Sequence, residues 1–167
     1  MSCQEEGGME RLIVGLSYKG VVQKCLKKIK YQSQWSRLAD LYGLCKFPRL
    51  RGVVTCVPMW RGKEKERGFN QAEILAKLLA KQYKIPYLVM LERRRETKPM
   101  FGLNKQERRE NVEGAFAIVR GKKGGAEKLR RVILVDDVWT TGATMKECTR
   151  VLKNGGVKEV WGVTIAR

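Results

Sequence analysis

The stretch that most constrains this chain is VILVDDVWTTGAT, residues 132–144. Val132, Ile133, Leu134 and Val135 form an unbroken apolar run, the pattern of a strand covered on both faces. Two acids, Asp136 and Asp137, follow at once. A loop of hydroxyls and a glycine comes next (Thr140, Thr141, Gly142, Ala143, Thr144), and a helix is expected over residues 144–153, stopped by Gly155 and Gly156. A buried strand that passes directly into a polar loop and a helix is the repeating unit of a parallel sheet.

The remaining punctuation agrees. After Gly20, Val21, Val22, Cys25, Leu26 and Ile29 recur at helical spacing, with lysines opposite. A second helical stretch runs over residues 35–44 and Pro48 closes it. Residues 52–57 (GVVTCV) read as a buried strand ended by Pro58, and residues 59–68 as a polar loop. Asn70 suits an N-cap, with Glu73 three residues on, and Leu75, Leu78 and Leu79 carry that helix to about Tyr83. Strands are expected over 87–91, 115–119 and 160–165, and a basic turn over 121–125. Residues 92–111 are highly charged, hold Pro99 and Gly102, and read as an exposed, mobile excursion with a short helix near 105–109. The expected fold is α/β, a mainly parallel twisted sheet flanked by helices. It forms a single domain over residues 18–167 behind a flexible segment, residues 1–17.

Composition excludes several chemistries. The 167 residues contain no histidine, so a Ser-His-Asp triad, a histidine base and His-ligated zinc are ruled out. Five scattered cysteines without a C-x-x-C pair argue against a disulfide framework and a zinc site; Cys25, Cys56 and Cys148 sit in apolar patterns as small core residues. No apolar run approaches the roughly 20 residues needed to span a bilayer. The acidic start lacks a basic n-region, so a cytoplasmic location is expected. Thirty-five Lys and Arg against 17 Asp and Glu leave +18, a surface that attracts polyanions. The basic runs are spread along the chain, which is also how a solvated basic surface reads.

The chemistry resides in residues 132–144. Ligands of open α/β sheets sit outside the carboxyl ends of the strands. Backbone N–H groups and threonine hydroxyls of the loop can converge on one phosphate, with the positive end of the following helix behind them. Gly142 would supply a positive φ and close approach. Asp136 and Asp137 cannot serve a phosphate. They would accept hydrogen bonds from sugar hydroxyls, directly or through Mg2+, so a pentose 5-phosphate satisfies both halves. A Walker A loop and a G-x-G-x-x-G turn are both absent.

VILVDDVWTTGAT resembles the signature of type I phosphoribosyltransferases, and the rest of the chain resembles the ComF family of competence-associated, phosphoribosyltransferase-like proteins. The resemblance rests also on Tyr18-Lys19-Gly20, Val57-Pro58 and Arg67-Gly68-Phe69-Asn70-Gln71-Ala72. To these it adds Arg93, Thr97, Arg108 and the run Asn111-Val112-Glu113-Gly114-Ala115-Phe116. It implies a type I phosphoribosyltransferase fold with a small mobile hood, residues 92–111. It also implies that Asp136 and Asp137 bind the ribose diol and Mg2+, through water or substrate where not directly. Thr140, Thr141, Gly142, Ala143 and Thr144 would bind the 5-phosphate. Pro58, Met59 and Arg67 would form the pyrophosphate loop, with Arg93, Arg95 and Arg108 neutralising pyrophosphate from the hood. Two departures stand out: the four-cysteine zinc module common in the family has no counterpart here, and Met100 stands where the hood usually has glutamine.

Three functions follow. The first is transfer of a phosphoribosyl group from phosphoribosyl pyrophosphate to a nitrogen acceptor, in the setting of competence and DNA uptake. The second is a non-catalytic phosphoribosyl- or nucleotide-binding module acting there with a helicase-like or recombination-mediator partner. The third is direct binding of single-stranded DNA, with Trp35, Trp60 or Phe101 as stacking platforms.

Overall fold

In the computed structural model, residues 8–32, 36–100, 102–120 and 129–167 are described, with Lys27, Lys30, Tyr31, Gln32 and Ser36 by backbone alone. The elements in chain order are β1 (Arg11–Leu16), α1 (Gly20–Gln32), α2 (Ser36–Gly43), β2 (Val53–Cys56), α3 (Arg61–Arg67) and α4 (Gln71–Tyr83). They continue with β3 (Leu91–Arg93), α5 (Lys105–Val112), β4 (Phe116–Ile118), β5 (Arg131–Val138), α6 (Ala143–Asn154) and β6 (Glu159–Ala166). Four strands form a wholly parallel sheet in the order β1-β6-β5-β2. β3 and β4 make a separate antiparallel pair.

The unbroken apolar run of β5 is explained by two cores. Ile133 and Val135 face the cluster built with α1, α2 and α4, where Leu26, Leu38, Leu75 and Leu79 are buried. Val132 and Leu134 face the opposite cluster, with Met145, Cys148 and Leu152 of α6 and Phe116 of β4. Side chains alternate across a strand, so a strand covered on both sides has no polar face to spare. The β5–β6 and β5–β2 ladders then hold the carboxyl end of β5 near the centre of the sheet.

Several expectations need correction. Residues 11–16 are not part of a flexible segment: β1 pairs with β6 from Arg11↔Trp161 to Leu16↔Ala166. Within it Ile13 alone is buried, which is why the strand reads weakly. Residues 59–68 are not all loop, because α3 occupies Arg61–Arg67; it buries no residue and is closed by Gly68, whose N–H donates to the Glu64 carbonyl. The expected strand at 87–91 is displaced. Tyr87 makes one bridge to Val54, the Met90 N–H turns to Thr55 Oγ1 at 3.3 Å, and ladder pairing starts only at Leu91.

The excursion 92–111 is largely exposed, as expected, and it is pinned at several points. Thr97 and Val112 are buried, and Asn111 holds Lys98 by both its N–H (2.9 Å) and its carbonyl (2.9 Å). Its helix starts with a complete capping box between Asn104 and Glu107. At α4, by contrast, Asn70 caps through the Ala72 N–H while Glu73 pairs with Lys77 at 2.7 Å, so the reciprocal half is missing. The basic turn at 121–125 and the residues Trp35 and Phe101 lie outside the described residues.

Candidate phosphate-binding site

β5 carries Asp136 to the carboxyl end of the sheet, and the chain stays anchored there by the Trp139 N–H donating to Ala166 O at 2.9 Å. The loop then turns at Gly142, whose φ of +77° places it in the left-handed region. A Cβ on Gly142 would come within 2.2 Å of the Trp139 ring. Conformation and space therefore both require glycine, and the ring packs onto bare backbone. Gly142 occupies the N-cap of α6 without any side-chain cap bond. The first amides of the helix are thus left for another acceptor, which is what makes a helix start an anion site.

Asp136, Thr140, Thr141, Gly142, Ala143 and Thr144 line one small cavity, together with Met100 from the hood. The acid and the phosphate-type loop predicted from sequence are thus brought together. Asp136 Oδ1 accepts the Asp137 N–H at 2.8 Å. Asp137, next along the strand, does not line that cavity, as alternation across a strand dictates. Pro58 and Met59, both half-buried, leave the end of β2 beside β5. Two bonds fix that exit: the Val57 N–H donates to Val135 O at 2.9 Å, and Asn70 Nδ2 donates to Val57 O at 3.1 Å. Arg67 ends α3 and is half-buried.

The three hood arginines diverge. Arg108 reaches the loop: Nη1 donates to Thr140 Oγ1 at 3.3 Å, while Nε holds Leu103 O at 2.8 Å. Arg93 points inward, its guanidinium 5.3 Å from the centre of the Phe116 ring and bonded to Thr97 Oγ1. Burial lowers its pKa, while the field of Asp136, among others, raises it, so the two charges sense each other. Its Nε is buried without a partner. Arg95 is not gathered in: Nη2 donates to Glu113 O at 2.7 Å, at the far end of α5.

Sequence reasoning missed Thr164. It stands opposite Asp136 in the β5–β6 register and is fully buried, and its hydroxyl has no partner. Both residues line a second small void with Tyr42 and Phe47. No sequence signal marks it, since a threonine in a strand is ordinary.

Among the described residues no cluster of three or more His, Cys, Asp or Glu gathers, and no helix is long and apolar enough to cross a membrane. The model of the phosphoribosyl transferase domain family matches residues 65–167, which include all of β5, the loop and α6. Competence protein F of Haemophilus influenzae is 36% identical over 176 residues, covering 98% of this chain and 76% of that protein. Competence protein ComFC of Bacillus subtilis is 33% identical over 126 residues, covering 72% of this chain. The DNA utilization protein YhgH of Escherichia coli O157:H7 is 31% identical over 111 residues, covering 65% of this chain. The chain spans 47% of each of these last two proteins. With its central strand, glycine turn and helix start inside the matched segment, the chain belongs to the phosphoribosyl transferase domain family, among the relatives of competence protein F and ComFC.

Proposed function

We propose that the chain binds phosphoribosyl pyrophosphate at the carboxyl end of β5 and transfers its phosphoribosyl group to a nitrogen acceptor, releasing pyrophosphate. The observation that carries this reading is the shared cavity. One wall is Asp136, which suits a sugar hydroxyl. The other is a glycine turn, three threonines and the open start of α6, which suit a phosphate. Arg108 at Thr140 brings a positive charge to that wall. Thr140, Thr141, Gly142, Ala143 and Thr144 take the 5-phosphate, while Asp136 and Asp137 take the diol. Pro58, Met59, Arg67, Arg93 and Arg108 face the pyrophosphate, while Arg95 is held away by Glu113 O.

The donor set fits Mg2+ held jointly by protein and ligand: the hard carboxylate oxygens of Asp136 in the cavity, with Asp137 reaching the ion through water or ligand and the remaining positions filled by ligand oxygens and water. Bound there, the ion would offset charge on the departing pyrophosphate. The chain's own contribution is to hold the ribose and cap the phosphate in a place closed by the hood, a task of positioning and electrostatics that needs no histidine. Four described cysteines are free thiols, in keeping with a reducing cytoplasm. The names of the relatives support a role in competence and DNA use; a helicase-like or recombination-mediator protein is the partner proposed for it.

One observation favours a binding module without turnover. Met100 lines the cavity from the hood, its sulfur 3.7 Å from Asn111 Nδ2, where the family usually has an amide. The test covers both readings. Phosphoribosyl pyrophosphate with Mg2+ should raise the melting temperature, and Asp136→Asn with Asp137→Asn should abolish the rise. Pyrophosphate release with a panel of nucleobases and amines then identifies an enzyme. Binding without release assigns the module, and no thermal shift at millimolar ligand sinks both.

A further inference from the structure

A cavity of about 580 Å3 lies away from the phosphate site, in a groove on the outer side of α6 that is walled on its other side by α5. Thr141 and Ala143 line both, so the groove opens from the back of the phosphate loop. Lys146, Arg150 and Lys153 project from α6, and Lys105 and Arg109 from α5. Two carboxylates accompany these five cations. Glu147 is already engaged, accepting from Arg150 at 2.6 Å and from the Gly114 N–H at 2.8 Å. Glu113 sits exposed at the end of α5. Among the described residues, no carboxylate forms an ion pair with Lys105, Arg109 or Lys146.

From this arrangement we infer that the α5–α6 groove holds the phosphodiester backbone of a single nucleic-acid strand, at a place separate from the phosphoribosyl site. Lys153 is already held by Glu10, but Lys105 and Arg109 stand roughly 6 Å apart along α5 at 1.5 Å rise per residue, with Lys146 on the facing helix, a row for successive phosphates rather than a convergence on one. Away from the first turn of α6 and the last turn of α5, the main-chain groups of the two helices are spent internally, so the groove offers mainly side-chain donors. A phosphodiester backbone carries acceptors only and matches such walls. An extended acidic peptide would bring main-chain N–H groups that find no partner there and would lose water for nothing. Among the described residues no aromatic side chain lines the groove, so the bases are not stacked and recognition is independent of sequence.

The experiment uses the full chain and a fluorescent oligothymidylate, with anisotropy read across a salt series. The unaltered chain should bind, with affinity falling steeply as salt rises. Arg109→Gln with Lys146→Gln should weaken binding by about tenfold or more. The same pair should flatten the log–log salt slope by about 1.4, since each lost phosphate contact removes about 0.7 for single strands. Lys24→Gln with Lys28→Gln, exposed on α1, removes the same charge elsewhere and should change affinity by less than about threefold. Circular dichroism of each variant establishes that the fold is kept, and phosphoribosyl pyrophosphate binding by the groove pair should be unchanged. Equal losses in the two pairs, or no binding by the unaltered chain at low salt, would overturn the inference. So would a polyglutamate peptide that competes as well as the oligonucleotide, which would reassign the groove to an acidic protein.

Discussion

Arg108 of α5 and Thr140 of the loop after β5 are joined across the site, Nη1 donating to Oγ1 at 3.3 Å. The hood is therefore tied to the loop by the same guanidinium that a phosphate would draw in. Arg108→Gln keeps the helix and removes the charge. Loss of one charged hydrogen bond costs about 1.5–3 kcal/mol, so affinity for phosphoribosyl pyrophosphate should drop by about 10- to 150-fold. Isothermal titration of the variant checks this, and an unchanged Kd would remove Arg108 from the site. Arg95→Gln is the comparison: its guanidinium is held by Glu113 O, and its loss should leave affinity within about threefold.

Gly142 carries two independent constraints, a φ of +77° and a Trp139 ring where a Cβ would go. Gly142→Ala should destabilise the protein by at least about 2 kcal/mol, combining left-handed strain with overpacking. At this size the melting temperature should fall by roughly 4–8 °C. Adding Trp139→Ala relieves the overlap alone and should restore about half of the loss. Full restoration would show that φ is not the problem.

How far this was readable from the sequence depended on whether an element carries a periodic apolar face. β5, its loop and α6 were legible because four apolar residues, two acids and a glycine turn each demand one local conformation. α3 was not, because RGKEKER buries nothing and leaves no pattern to read. β1 escaped for the related reason that an edge strand with one buried residue resembles a linker. The site divided in the same way. Asp136 with the threonine loop follows from adjacency in the chain, whereas the meeting of Met100 and Arg108 with that loop depends on how the hood folds back. Arg93 and Arg95, two residues apart, end in opposite surroundings, and charge alone did not distinguish them.

Thr164 offers a test of the floor beneath Asp136. Its hydroxyl is buried, unpartnered and opposite Asp136 in the ladder. Removing an unsatisfied buried hydroxyl by an isosteric change recovers its desolvation cost, so Thr164→Val should stabilise the free protein by about 1 kcal/mol. Chemical denaturation measures it. A loss of stability would instead show that the hydroxyl has a partner in the free protein, such as a bound water.

Glu147 sets the acid limit of the α5–α6 contact. Its carboxylate accepts from Arg150 Nε at 2.8 Å and from the Gly114 N–H at 2.8 Å, and these bonds, the arginine first, hold its pKa below the ordinary glutamate value. The folded state thus favours the ionised form more than the unfolded chain does. The resulting stability is present above the unfolded pKa of about 4.3 and is lost as pH falls through the lower folded value. Glu147→Gln should cost about 1.5–3 kcal/mol at neutral pH. It should also flatten the stability profile below about pH 4.5, where the unaltered chain is still losing this contribution. Urea unfolding at a series of pH values reads both effects. An unaltered acid slope in the variant would mean that other carboxylates govern the acid transition.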